Sequence, residues 1–316
     1  MPATDLATLR VGTRRSPLAL IQTRGFMAYA ADAARHLGVF EEVQMQTTGD
    51  AVQDRKLAEI GGKGLFAKEI HEALLDRRID LAVHSLKDLE TSLPDGIVLG
   101  CVLAREDARD VLLVGPGRTG AGDGVAFGAL PMGAVVGTSS VRRQAQLLHA
   151  RPDLSVTMLR GNVQTRLGKL ADGVCDASLL ALAGLNRLGM AHVATMVLDP
   201  EVMVPSAAQG IVGITCRADD SALCALLADI EDRAARVAAN AERAMLGLLD
   251  GSCRTPIGGH ARLLDGDAVR LTGLVARADG SFLLKRSRTG SAAEARALGE
   301  DLAAELRRDS PSDVFA

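Results

Sequence analysis

Two stretches of this 316-residue chain follow one plan, and that repetition restricts the fold more than any other feature. RVGTRRSPLAL, residues 10–20, reads as a strand ending at Gly12-Thr13 and then a helix, with Ser16 as its cap and Pro17 at the first helical position. AVVGTSSVRRQAQLL, residues 134–148, repeats VGT, then hydroxyls and paired arginines, before another helix. The similarity continues downstream in the same order. In GGKGLFAKEIHEALLDRRIDLAVHSLKDL a glycine loop opens a helix with Phe66, Ile70, Ala73 and Leu74 on one face, and Asp80 leads into an apolar strand. In RGNVQTRLGKLADGVCDASLLALAGL, Gly161 opens a helix with Val163, Leu167 and Leu170, and Asp176 leads into the next strand. Two α/β lobes of related design, facing across a cleft, are the economical reading. For the first helix the expected face is Leu18, Ile21, Gly25 and Ala28, with a stop at Gly38.

The rest of the chain changes style. VLLVGPGRTGAGDGVAFGALPMG is rich in glycine and is expected to form a surface loop, whereas VPSAAQGIVGITCR reads as a buried strand. From near residue 225, an Ala-rich helix is expected in ADIEDRAARVAANAERAMLGLLDG, ending at Gly251. A hairpin follows in AVRLTGLVARADGSFLLKRSR, turning at Ala-Asp-Gly, and EARALGEDLAAELRR closes the chain as a helix. These elements form a small α+β domain attached by the loop 251–259. The expected division is residues 1–104 with 205–226 as one lobe, 105–204 as the second, and 227–316 as the C-terminal domain.

Composition excludes several classes of function. Tryptophan is absent and aromatics are 2% of residues, which argues against base-stacking nucleic-acid modules. A net charge of −3 leaves no general basic field, so any anion site must come from locally clustered arginines. No apolar run has membrane-spanning length and no export signal opens the chain. The five cysteines are widely spaced without CxxC pairs, which fits a reduced cytosolic protein with no metal and no disulfide framework.

Arginines gather where strands end and helices begin: Arg14 and Arg15, Arg142 and Arg143, Arg160, Arg166 and Arg187. Free helix N–H groups favour anions there, and guanidinium binds carboxylate bidentately, so the pattern suits a ligand with several carboxylates. The competing interpretation is a set of solvated arginines. GGKGLF lacks the spacing and hydroxyl of a nucleotide-binding loop, which leaves Lys63 as one more cation. Cys253 sits in the loop LLDGSCRTPIGG beside Arg254, a setting that lowers a thiol pKa and suits a nucleophile or attachment point; Cys101, Cys216 and Cys224 lie in apolar stretches.

AVHSLKD, residues 82–88, crowds four reactive side chains together. Strand alternation puts His84 and Ser85 on opposite faces, and no GxSxG elbow raises Ser85, so a Ser/His hydrolase is disfavoured. Asp88 keeps the neighbouring Lys87 protonated, which disfavours a Schiff base. Asp88 itself stands at the C-terminal end of a strand, where α/β folds place ligand groups; a surface ion pair with Lys87 is the alternative.

RVGTRRSPLAL, GGKGLFAKEI, DLAVHSLKD, VGTSSVRRQAQL, LRGNVQTRL, LLALAGLNRLG, VPSAAQGIVGI and the cysteine loop with TPIGG, taken in that order, resemble the porphobilinogen deaminase (hydroxymethylbilane synthase) family. The resemblance implies a transferase that condenses four porphobilinogen molecules head to tail with release of ammonia, then frees hydroxymethylbilane by hydrolysis. It implies a dipyrromethane cofactor held by a thioether to Cys253, and Asp88 as the catalytic carboxylate. Arg14 matches the most rate-sensitive cation; Ser16, Lys63, Ser85, Lys87, Thr138, Ser139, Ser140, Arg142, Arg143, Arg160, Asn162, Arg166, Arg187 and Gln209 match positions around cofactor and substrate. It further implies two periplasmic-binding-protein-like lobes plus a third domain bearing the cysteine, in a cytoplasmic monomer of heme biosynthesis. The chain departs from the family at Glu90, usually proline, at Glu59, lysine in some members, and at GSCRT around the cysteine. A non-enzymatic two-lobed protein binding a small carboxylate is the principal alternative.

Overall fold

The computed structural model describes residues 8–33, 39–51, 66–118, 126–249 and 255–315. Lys63, Glu59, Cys253 and the expected stops at Gly38 and Gly251 lie outside these segments. Its strands in chain order are β1 (Thr8–Arg14), β2 (Val39–Met45), β3 (Leu81–Ser85), β4 (Ile97–Val102), β5 (Asp110–Val114), β6 (Val135–Gly137), β7 (Ser155–Thr157), β8 (Ala177–Ala181), β9 (Met196–Val197), β10 (Val212–Arg217), β11 (Ile257–Leu264), β12 (Ala268–Ala276) and β13 (Leu283–Ser291). The chain forms two compact units: the described residues up to Arg105 together with Ile211–Arg236, and Glu106–Gly210 together with the described residues from Val237 onward.

The first unit holds a sheet in the order β2-β1-β3-β10-β4. Its first three strands are parallel, and β10 runs antiparallel to both β3 and β4. The second unit holds a sheet in the order β7-β6-β8-β5-β9, again with three parallel strands and a reversed strand, β5, in fourth place. Parallel neighbours need crossover connections, which the intervening helices supply. The repeated VGT has a packing cause. A Cβ on Gly12 would collide with Ile79, and one on Gly137 would stand 2.7 Å from Cys175 Sγ, so each first strand needs glycine where it meets its neighbour. Thr13 and Thr138, next in line, are both buried.

Capping residues start the helices that follow. Ser16 Oγ accepts the Ala19 N–H before helix Pro17–Ala33, Ser140 caps Val141–Ala150, and Asn162 caps Val163–Ala171. The first helix is where expected, but its inward face is not Leu18, Ile21, Gly25 and Ala28. Gln22, Thr23, Phe26 and Ala30 are buried, while Ile21 is 39% exposed. The Thr23 hydroxyl donates to Thr13 Oγ1 at 2.7 Å and Phe26 fills the core, so polar anchoring rotates the helix away from its simplest apolar stripe. Helix Lys68–Leu75 buries Ile70, Ala73 and Leu74 as expected, together with His71, while Phe66 stands in the turn before it.

The third sheet is the antiparallel meander β11-β12-β13, within the second unit. Helix Ala295–Asp309 turns Leu298, Leu302 and Leu306 inward and packs on β12 and β13. The expected hairpin is β12–β13, with Gly280 in the left-handed region at φ 77° in its turn. Three expectations need correction. The start of the supposed loop VLLVGPG is β5, because its apolar run pairs with β8 and β9. Part of the supposed loop 251–259 is β11, which begins at Ile257 and pairs with β12. The Ala-rich stretch is preceded by a separate helix, Ser221–Asp229, and its own helix spans Arg233–Leu248. Among the described residues no helix is long and apolar enough to cross a membrane.

Candidate active site

In the first unit, β1 and β3 lie side by side and both deliver polar groups at their C-terminal ends. A pocket of about 70 Å³ opens there, lined by Arg14, Ser16, Gln22, Phe66, His84, Ser85 and Asp88 among others. Arg14 ends β1 with its guanidinium 4.2 Å from the centre of the Phe66 ring, a cation–π contact. Ser85 ends β3 and donates its hydroxyl to Gln22 Oε1 at 2.9 Å. The chain then makes a tight 3-10 turn, Leu86–Asp88, that exposes Asp88 between buried Leu86 and Leu89. Lys87 is half-buried in the same turn. His84 faces inward, 2.9 Å from Thr215 Oγ1 through Nε2, which gives it a structural anchor as well as a place on the pocket wall.

The second unit assembles a different set. Asp110, at the start of β5, is fully buried, and its carboxylate meets Arg142 Nη1 and Arg143 Nη2, each at 2.8 Å. Gln209 Nε2 donates to the same carboxylate at 2.8 Å and to the Ala108 carbonyl at 2.7 Å. Burial alone would raise the Asp110 pKa, but the two guanidinium groups outweigh it and hold the carboxyl below the usual carboxylate range. Burial lowers the Arg142 pKa, opposed by Asp110. Two cations on one anion leave a net positive charge at the start of helix Val141–Ala150, where Ser139 and Ser140 are half-buried and Thr138 Oγ1 accepts the Ser140 N–H.

Arg160 is buried and precedes the helix capped by Asn162, and Arg166 is half-buried with Nε donating to the Gly161 carbonyl at 2.9 Å. Arg187 donates to the Gly210 carbonyl at 2.7 Å, and burial lowers its pKa. Thus Arg14, Ser16, Ser85 and Asp88 share one pocket, while Arg142, Arg143 and Gln209 share one carboxylate.

Sequence reasoning passed over several groups that organise these sites. Gln22 and Phe66 complete the pocket, Asp110 gathers the arginines, and buried Glu242 accepts the Ala208 and Ala261 N–H groups at 2.5 and 2.6 Å. Glu242 thereby holds Ala208, whose φ of 61° is rare for a residue with a Cβ, next to Gln209. A signal existed for two of them. Asp110 opens an apolar run, and Glu242 falls within the buried stripe of Ala238, Ala241 and Met245, positions where a lone acid needs partners.

Three of the four described cysteines sit where burial disfavours the thiolate. Cys101, Cys175 and Cys216 are buried, and burial pushes the Cys101 thiol up to about 12 and the Cys216 thiol upward as well. Half-buried Cys224 lies against Cys216, with sulfurs 3.6 Å apart. Among the described residues no His, Cys, Asp and Glu group is arranged to hold a metal ion.

Comparison with known proteins fits this picture. Residues 9–225 match the model of the porphobilinogen deaminase dipyrromethane cofactor binding domain, and residues 237–308 match that of the porphobilinogen deaminase C-terminal domain. The chain is 51% identical to a porphobilinogen deaminase of Paracoccus denitrificans over 97% of its own length and 96% of that protein. It is 48% identical to one of Syntrophobacter fumaroxidans, over 94% of each chain. It is also 48% identical to a chloroplastic porphobilinogen deaminase of Oryza sativa, over 90% of this chain and 78% of that one. With both domain models matched in order, the chain belongs to the porphobilinogen deaminase family, enzymes of porphyrin biosynthesis with a dipyrromethane cofactor.

Proposed function

We propose that this chain is a hydroxymethylbilane synthase, a transferase that joins four porphobilinogen molecules head to tail on a cysteine-linked dipyrromethane and then releases the product by hydrolysis. The observation that carries the catalytic assignment is Asp88, presented on a tight turn in a pocket with the Arg14 cation. Loss of ammonia leaves a pyrrole-centred cation, and a carboxylate there can hydrogen-bond the ring N–H, offset the charge and take up the proton released after ring attack. Arg14, its guanidinium over the Phe66 ring, is assigned to a carboxylate of the incoming pyrrole. Ser16 adds a hydroxyl donor at the same mouth, and Ser85, whose hydroxyl donates to Gln22, adds an acceptor.

The donor set of the second unit fits a polycarboxylate. Arg142 and Arg143 exceed the charge of Asp110, and the Thr138-Ser139-Ser140 hydroxyls and the helix N-terminus add donors. These residues, with Arg160, Asn162, Arg166 and Arg187, are assigned to the acetate and propionate groups of the cofactor, and Gln209, whose amide donates to Asp110 and Ala108, to the surroundings of that site. When bound, the dipyrromethane supplies the terminal pyrrole carbon at which chain extension begins. Attachment is assigned to Cys253, in keeping with the burial of Cys101, Cys175 and Cys216. The finer parts of the proposal are a cytoplasmic enzyme acting as a monomer, and three domains with the boundaries 1–104 plus 205–226, 105–204 and 227–316.

Intact mass of the purified active enzyme tests the proposal. The expected value is the polypeptide plus one covalent dipyrromethane. An unmodified mass in active protein would overturn it.

A further inference from the structure

We propose that Glu90 and His71 are a buried positioning pair that holds the Asp88 turn in place. The turn is secured on its N-terminal side by backbone: the Leu86 N–H donates to the Ile211 carbonyl at 2.9 Å, and the Leu89 N–H closes the turn onto the Leu86 carbonyl at 3.2 Å. On the C-terminal side the chain heads inward. Glu90, two residues past Asp88, has a side chain only 12% exposed, with Oε1 3.2 Å from Nδ1 of His71, which is 4% exposed.

His71 lies on helix Lys68–Leu75, whose Ile70, Ala73 and Leu74 belong to the core, so it is a fixed post for Glu90. Its ring is 6.1 Å from that of His84, which lines the pocket beside Asp88 and engages Thr215. From Asp88 the path therefore runs through Glu90 and His71 to His84 and back to the pocket wall. Two residues of extended chain reach at most about 7 Å, so Glu90 anchors the chain close to Asp88.

Neither Glu90 nor His71 is among the residues lining the pocket. Nor is the pair a cheap source of stability, since apolar side chains of similar size commonly fill such a space as well or better. Burial by itself would disfavour the Glu90 carboxylate, and the hydrogen bond from His71, a backbone hydrogen bond within Glu90 and the influence of His71 and His84 together outweigh that, keeping its pKa below the usual range. What the pair supplies is direction: one carboxylate geometry, two residues from the exposed acid.

This inference rests on Asp88 as the reacting carboxylate, and the experiment separates the two. Steady-state turnover of porphobilinogen is measured for holoenzyme carrying Glu90→Ala or Glu90→Gln, and for Asp88→Asn with and without Glu90→Ala. Cofactor content and thermal unfolding are followed on every variant. Glu90→Ala is expected to lower kcat roughly tenfold with KM within about twofold, while Glu90→Gln, which keeps an acceptor for His71, stays within about threefold. In Asp88→Asn, adding Glu90→Ala is expected to change the residual rate by less than about twofold, because the residue it positions is already lost. Full kcat in Glu90→Ala, or the same tenfold loss in both backgrounds, would overturn the pairing. Normal turnover in Asp88→Asn would instead refute the assignment of Asp88. If Glu90→Ala does not fold, His71→Gln in the same two backgrounds gives the same two discriminating results.

Discussion

Arg143 reaches the Asp110 carboxylate twice, with Nη2 at 2.8 Å and Nε at 3.3 Å from the same oxygen, and it also donates to the Leu179 carbonyl at 2.8 Å. Arg142 takes the other Asp110 oxygen and donates to the Val204 carbonyl at 2.6 Å. One carboxylate thus ties helix Val141–Ala150 to β5, to β8 and to the segment before Gln209. Removing its charge strands two buried guanidinium groups. Asp110→Asn is expected to lower stability by about 3–5 kcal/mol, read by urea denaturation of the holoenzyme. A loss below about 1 kcal/mol would show that the arginines find other partners.

The same carboxylate sets an acid limit. Its folded pKa lies below the unfolded value, so its contribution is fully present above the ordinary Asp value of 3.8 and is lost as pH falls from there toward the folded value. Wild-type unfolding free energy is expected to decline as the medium is acidified below that point, with a shallower decline in Asp110→Asn. Parallel pH curves for the two proteins would contradict the linkage.

Asp88→Asn keeps the size of the side chain and removes its charge and proton-accepting capacity. Turnover is expected to fall by roughly 10²-fold or more, the range for loss of a general acid–base group, with the covalent cofactor retained. Retention of normal turnover would reassign the pocket.

Cys253→Ser tests the attachment point independently. Mass spectrometry is expected to show the bare polypeptide, with no turnover, whereas Cys101→Ser, at a buried thiol, is expected to retain the adduct. An adduct that survives Cys253→Ser would place it on another side chain.

Ser140 is a local element of the second unit, capping its helix by accepting the Arg143 N–H at 3.4 Å. Ser140→Ala is expected to cost about 1 kcal/mol, visible as a lowered Tm. Cofactor occupancy after anaerobic reconstitution then reports whether the hydroxyl also serves the ligand.

The features legible in the sequence were those governed by neighbours along the chain. The VGT repeat marked two equivalent strands because each needs glycine at one crowded contact, and Ser16 and the hydroxyls before Val141 marked helix starts because a capping oxygen reaches only three residues ahead, while the cap at Asn162 emerged only in the structure. Alternation and the missing elbow argued against a Ser/His hydrolase in AVHSLKD, while the role of Asp88 came from the family resemblance, and the structure brings both His84 and Ser85 to the pocket wall. Tertiary structure decided what depends on partners far away in the chain. The first helix turned Thr23 and Phe26 inward because Thr13 and the sheet awaited them, although an apolar stripe elsewhere was visible. Arg142 and Arg143 became an anchored cluster through Asp110, more than thirty residues earlier. Glu90 is met on its inward side by His71, on a helix packed against β3, β4 and β10. Periodicity and capping are short-range and can be read along a chain; the pairing of buried charges is settled only when folding removes water from both partners at once.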